Sequence, residues 1–528
     1  MHYLRDISTR QTPQSEPLPG QVPNSAGGHA WAVSPWERLQ RFLILGSEGG
    51  TYYVGQRDLT KENVDALGQC LGLDGPKAVE LIEEVSTEGR APKNDPAIFA
   101  LAYAMATGDV DTRRAAEKAL RHVCRTGTHL FHFAAFMEQF RGWGRIARRA
   151  VAGWYEQPVE DLAYQMVKYR QRDGWSHRDL LRLAHPTPVS AEHDALFAWC
   201  AQGTYDKALP PIIDQFRFAQ AAQYPATTAR LLAEMPSLPR EALNPDHLTS
   251  PEVWEQLLEN GMPITALLRN LPTMTRLGLL PPMGGWTDRV CSQLTDSARL
   301  TSGRIHPLSV LVALMTYGSG RSARGTATWS PAPAITDALD AAFYLAFGGV
   351  RPTGKRTYLA LDVSGSMAWQ EIAGMPGVTP RVGSVAMALV TAAVEQSYYI
   401  AGFQSSLVEL GITSRTRLDD ACRQVNGLPF GRTDCAAPML DALDRRMEVD
   451  TFLVYTDSET WYGTIHPVQA LRMYRERMGI NAKLVVVGMV SNGFSIADQA
   501  DGGMLDVVGF DTAAPNVIAE FAGARGVV

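Results

Sequence analysis

No two cysteines stand two residues apart: the six thiols are Cys70, Cys124, Cys200, Cys291, Cys422 and Cys435. That excludes a zinc ribbon and a thioredoxin-like pair, and suits the scattered, reduced thiols of a cytoplasmic protein. Long apolar runs are missing as well. The longest, such as Val385 to Val394, reach about ten residues, where a membrane span needs roughly 18. Residues 1–28 lack the apolar stretch of a secretory signal and are rich in Pro, Gln, Ser and Gly, which predicts a mobile arm over 1–29. Positive charge is not in excess: 49 Lys and Arg against 55 Asp and Glu leave a net −6. This excludes a globally basic nucleic-acid coat and leaves room for a local basic stripe. Several enzyme signatures are also absent. There is no Gly-x-Ser-x-Gly elbow and no His-Glu-x-x-His. The run Gly349 to Arg356 approaches a phosphate-binding loop, but Arg356 stands where a Ser or Thr must hold magnesium, and the run precedes a strand instead of following one.

What is present is an ordinary globular composition, 45% hydrophobic and 20% charged over 528 residues, enough for two to four domains. Residues 30–349 read as helix after helix. Trp36, Leu39, Phe42 and Leu43 recur at helical spacing, as do Ile98, Leu101, Ala102 and Met105, and Leu130, Phe133, Ala134 and Met137. Glycine stops such as Gly72-Leu-Asp-Gly75, Gly108, Gly127 and Gly174 cut the pattern into short helices, which suits either a globular bundle or a stack of helix pairs.

From residue 350 to 528 the period changes. Short apolar strands at Tyr358–Asp362, Tyr398–Phe403, Thr451–Thr456, Ala482–Gly488 and Leu505–Phe510 alternate with helical stretches of 10–15 residues. This predicts a doubly wound, mainly parallel sheet, whose ligands bind beyond the carboxyl ends of the strands. Asp362, Ser364 and Ser366 follow the first strand, Asp457 follows the strand ending at Thr456, and Thr433 precedes a helix between them. Two carboxylates and three hydroxyls on three loops suit a hard cation, Mg²⁺ or Mn²⁺. Gly365 lets the first turn tighten. Helix capping by Asp, Ser and Thr is the metal-free alternative, but it does not require Asp457 on another strand. Ser364 stands where an aspartyl-phosphate hydrolase would need its second carboxylate.

Residues 141 to 185 carry nine Lys/Arg (Arg141, Arg145, Arg148, Arg149, Lys168, Arg170, Arg172, Arg178 and Arg182) against five acids, a net +4 inside an acidic chain. Arg145, Arg148 and Arg149 share one helix face. Lys168, Arg170, Arg172, His177 and Arg178 cluster around the next helix end. Arginine forks suit phosphates, and Trp, Tyr or His can stack on an unpaired base. The same pattern also fits a solvated helix face. A second basic loop, Gly320 to Gly325 with Arg321 and Arg324, has Arg304 and His306 upstream.

Asp362-x-Ser364-x-Ser366 with Thr433 and Asp457 resembles the metal-ion-dependent adhesion site of von Willebrand factor A domains. The runs Arg41 to Gly46, Gly142 to Arg145, Lys168 to Leu183 and Pro352 to Arg356 resemble the Ro sixty-kilodalton autoantigen family, in its bacterial form, over about residues 30–528. The resemblance implies a HEAT-like helical-repeat ring (TROVE module) followed by a doubly wound A-type domain. It implies small noncoding Y RNA on the outer basic surface, misfolded or single-stranded RNA ends in the ring, and Mg²⁺ or another divalent cation at the adhesion site. It assigns Lys168, Arg170, Arg172, His177 and Arg178 to RNA, with Arg145, Arg148 and Arg149 added on charge. It further implies a cytoplasmic, non-enzymatic scaffold in RNA quality control and stress response, tethering an exoribonuclease, polynucleotide phosphorylase, through Y RNA. The competing reading is a metal-dependent protein-adhesion scaffold whose repeats bind protein. A metal nuclease using Asp362 and Asp457 is disfavoured, because a single hard-metal site is visible and no general base stands beside it.

Overall fold

The computed structural model describes residues 11–47, 54–140, 142–322, 325–369, 371–372, 375–429 and 431–523. Two residues of the expected basic patches, Arg141 and Arg324, lie outside them.

Helices run from Pro35–Leu45 to Pro333–Ala346 with short connections. The first shows why the chain breaks where it does. Ser34 accepts from the Glu37 amide while Glu37 reaches back to the Ser34 amide, and Pro35 opens the helix. The helix Gln56–Thr87 bends at Asp74, whose backbone leaves the helical region between Gly72 and Pro76, as the glycine pattern foretold. Two short strands, Gln171–Arg172 and Trp175–Ser176, form a hairpin where only helices were expected. Asp173 and Gly174 supply the positive φ its turn requires.

The second half is a six-stranded sheet. Its order is Met504–Val508, Lys483–Gly488, Thr451–Thr456, Thr357–Asp362, Tyr398–Phe403 and Leu407–Glu409. All neighbours are parallel except the last, a three-residue antiparallel edge absent from the sequence reading. Alternation across the strands separates two cores. Leu359, Leu361, Leu453, Tyr455, Val485 and Val487 join the core continuous with the helices. Tyr358, Ala360, Phe452, Val454, Leu484 and Val486 face the opposite core. Burial on both faces is why these strands read as unbroken apolar runs.

The A-type domain bridges the first and last helices of the array. At one end Arg41, 1% exposed, forks onto Asp506 at 2.6 and 2.8 Å. Arg90 pairs with Asp511 at 2.7 Å, and His306 holds the Phe510 carbonyl at 2.8 Å. At the other end Arg417 pairs with Asp337, and the Leu418 amide donates to Asp340.

Composition predicts a mobile N-terminal arm, and residues 11–32 depart from it. Gln14 is wholly buried and donates to Asp434 and to the Ile465 carbonyl. Asn24 donates to the Thr460 carbonyl at 2.7 Å, and His29–Ala32 pairs with Phe494–Ser495. Polar side chains read as solvated here satisfy buried carbonyls instead. Gly28 passes so close to Thr460 that a Cβ would sit 2.0 Å from its carbonyl oxygen.

Candidate functional site

The strands Thr357–Asp362 and Thr451–Thr456 are neighbours whose onward connections leave in opposite directions. This is the switch point of the sheet, where a crevice opens past the carboxyl ends. Asp362 and Asp457 flank it, and both are buried, as are Ser364, Ser366 and Thr433. Asp362 accepts from Thr456 Oγ1 at 2.6 Å and from the Ser364 amide at 3.0 Å. The Ser364 and Ser366 hydroxyls lie 3.0 Å apart. Asp457 accepts from the Glu459 amide at 3.0 Å and also hydrogen-bonds Ser366. The Thr433 carbonyl takes the amides of Trp461 and Tyr462, tying the two loops together.

Burial lifts both carboxyls above the usual carboxylate range, and the Asp362 charge lifts Asp457 further. The Arg381 guanidinium acts on Asp362 from a distance and donates hydrogen bonds to the carbonyls of Val363, Ser364, Val425 and Leu428. Two like charges with three hydroxyls fit a small, hard divalent cation, which would relieve their repulsion, and burial keeps the neighbouring Cys435 thiol protonated.

The expected basic stripe divides in two. Arg145, Arg148, Arg170, Arg172 and Arg178 are exposed. Among the described residues no carboxylate pairs with Arg145, Arg148, Arg170 or Arg178, and Arg172 keeps only a loose 3.7 Å contact with Asp173. Arg170 lies over the Phe216 ring at 5.5 Å. Arg149, by contrast, forks onto Glu117 and is already neutralised.

Lys168 turns the other way. It lies over the rings of Tyr164 and Tyr169, 5.3 Å from each centroid, and lines a cavity of about 410 Å³ with Arg240 and Arg269. A second cavity of about 440 Å³ shares Thr265 and Arg269 with it and adds Lys93, Arg304 and Ser309. It lies where residues 91–93 face residues 304–316, so the start and the end of the helical array meet across it. Lys168 therefore belongs to this cleft, where Glu241 pairs with Arg240 at 3.2 Å and Lys168, Arg269 and Arg304 supply further cations, and not to the exposed stripe.

His177 is not a phosphate contact. It is 2% exposed, packed against Phe131 and Trp154, with Nδ1 2.9 Å from the Tyr155 hydroxyl. Burial pushes its pKa down to about 4, so the ring is neutral. The exposed imidazole is His185, in the left-handed region at the end of the same helix, with Arg182 exposed one turn before it. Pro186 marks that helix end in the sequence and was the available signal. Lys93, Arg240 and Arg269 had none, because helix stacking alone brings them together.

Family models, relatives and a solved structure agree with this fold. A model described as the TROVE domain matches residues 22–220 and 236–317, and one described as the Ro60 vWA domain matches residues 356–522. The chain is 44% identical to the RNA-binding protein RO60 of Deinococcus radiodurans over 529 residues, covering 99% of each. It is 35% identical to the RNA-binding protein RO60 of Caenorhabditis elegans, covering 95% of this chain and 90% of that one. The crystal structure of the Deinococcus radiodurans RO (RSR) protein superposes with a TM-score of 0.70 at 43% identity, covering 93% of this chain and 99% of that one.

Proposed function

Because the chain belongs to the Ro60 family of TROVE-domain proteins, we propose that it is an RNA-binding scaffold with two separate RNA surfaces. The outer surface, Arg145, Arg148, Arg170, Arg172 and Arg178 with Arg182 and His185, takes a structured small RNA of the Y type. The inner cleft, Lys93, Lys168, Arg240, Arg269 and Arg304, takes single-stranded ends of misfolded RNA. The observation that carries this reading is that Arg145, Arg148, Arg170 and Arg178 are exposed and, among the described residues, pair with no carboxylate, in a chain of net charge −6. Phosphate contacts supply the affinity, and the shape of the RNA supplies selectivity. Its place in the cell is RNA quality control and stress response in the cytoplasm, where a bound Y RNA tethers the exoribonuclease polynucleotide phosphorylase.

Asp362, Ser364, Ser366, Thr433 and Asp457 would hold Mg²⁺ or Mn²⁺ at the A-type domain. Such an ion supplies one open Lewis-acidic position for an acidic side chain of a protein partner. The chain's own residues keep that position ready: the arm and the Thr433 carbonyl fix the loop 457–463, and Arg381 anchors the turn after Asp362.

Ultraviolet crosslinking of the protein in its native cell, followed by sequencing of the attached nucleic acid, tests the reading. Small structured RNAs crosslinked within residues 145–185 are expected. Recovery of protein partners on the helices with no RNA would replace the scaffold by the protein-adhesion alternative.

A further inference from the structure

One exposed cation beside the metal donors has no part in the reading above. Arg432 immediately precedes Thr433. Its guanidinium lies over the Tyr462 ring at 4.9 Å and the Trp461 ring at 5.4 Å. Those rings meet edge to face, 5.9 Å apart, and their amides are held by the Thr433 carbonyl. The loop that carries them is fixed from below, since Asn24 holds the Thr460 carbonyl and the Ser25 and Ala26 amides hold Glu459. Among the described residues no carboxylate pairs with Arg432, which is exposed, and Tyr462 is 44% exposed. Stacking engages the face of the guanidinium and leaves its edge donors for a planar anion.

We propose that Arg432, stacked on Trp461 and Tyr462, is a second anchor of the metal face, so that this face selects a protein segment bearing two neighbouring acidic side chains. One carboxylate completes the metal shell, and the other takes the Arg432 fork. The proposal rests on the metal reading of Asp362 and Asp457. A protein segment fits better than a nucleic acid for a reason of charge. Residues 356–522 hold 12 Lys/Arg against 19 Asp/Glu, a net −7. An RNA crossing that acidic domain would need several phosphate contacts, whereas a short acidic motif would need only Arg432 and the cation that Asp362 and Asp457 would hold. Prior ordering of Arg432 on the rings lowers the entropy lost when the second acid binds.

The test is calorimetry on the full chain with synthetic capped peptides. One set carries two Asp separated by one, two or three Gly, and the reference carries a single Asp. In Mg²⁺ at least one two-acid peptide is expected to bind more tightly than the reference. Arg432→Ala is expected to weaken that peptide by about tenfold or more while leaving the single-acid peptide unchanged. Arg432→Lys, which keeps the charge and loses the fork, should recover only part of the difference. Equal affinity for one and two acids, or no peptide binding at millimolar concentration, overturns the proposal. Binding that survives EDTA refutes the metal reading itself. Tight, Arg432-dependent binding of oligouridylate in place of the peptides would assign the face to RNA and also overturn it.

Discussion

Division of the basic residues into an outer and an inner group has a measurable consequence in the salt dependence of RNA binding. Replace Arg170, Arg172 and Arg178 together by Gln. All three are exposed, so folding should be untouched. If each contacts one phosphate of a duplex stem, the slope of log K against log salt flattens by about 0.9 per contact, about 2.7 in all. Between 50 and 200 mM salt that difference amounts to about 40-fold in affinity. A single-stranded oligomer held in the cleft should keep its slope. The converse variant replaces Lys168, Arg269 and Arg304, which line the two adjoining cavities. Single strands lose about 0.7 per contact, so its slope for the oligomer should flatten by about 2.1, a change of about 20-fold over the same salt range, with the duplex unaffected. Filter binding or fluorescence anisotropy at four salt concentrations reads both. The decisive feature is the crossing of the two effects. If either triple variant flattens both slopes alike, the cleft and the outer face are one surface and the division is wrong.

Acid should destabilise the chain through its buried imidazoles. His177 and His306 have pKa values pushed down to about 4 by burial, below the usual 6.5, so the unfolded state binds the extra protons. Their contribution to stability is complete above pH 6.5 and falls as the pH drops from 6.5 towards 4, by about 3 kcal/mol for each ring. The raised carboxyls of Asp362, Asp457 and Glu459 act in the opposite sense, so the measurement is the difference in guanidinium midpoint between the parent and His306→Gln from pH 7.5 to 4.5: the parent should lose more on acidification, and parallel profiles contradict the assignment. For the arm, Gln14→Ala leaves Asp434 and the Ile465 carbonyl short of a donor and should cost about 1–3 kcal/mol. Hydrogen exchange should then quicken in residues 459–463 and not in the helices; unchanged exchange there would show that the arm does not hold the loop.

The sheet and the gathering of Asp362, Ser364, Ser366 and Asp457 at its switch point were legible because local chemistry and topology agree. A strand buried on both faces shows itself as Thr451–Thr456 does, and a strand end followed by Asp marks the crevice whatever the rest of the chain does. The arm was misread for the opposite reason. Its Gln, Asn, Ser and Gly are the composition of a solvated segment, and only the carbonyls of Thr460 and Ile465, more than four hundred residues away, turn Gln14 and Asn24 into buried donors. The antiparallel edge Leu407–Glu409, which folds straight back on Tyr398–Phe403, was hidden for another reason: three residues are too few to show an alternation.

The histidines show where charge reasoning from sequence fails. His177 and His185 lie on one eight-residue helix and its cap, and both stand among arginines. His177 was assigned to RNA through the resemblance of the run Lys168 to Leu183, in which it stands next to Arg178. On a helix, however, position relative to the apolar stripe decides exposure, and His177 falls on the side of Leu180 and Leu181, both buried. Lys168 follows the same logic at the end of its own helix, where neighbouring tyrosines carry it towards Arg269. A basic run is therefore not yet a surface. What turns it into one is the face each residue takes, and in this chain that face separates cations adjacent in sequence into two sites while joining Lys93, Arg269 and Arg304, distant in sequence, into one.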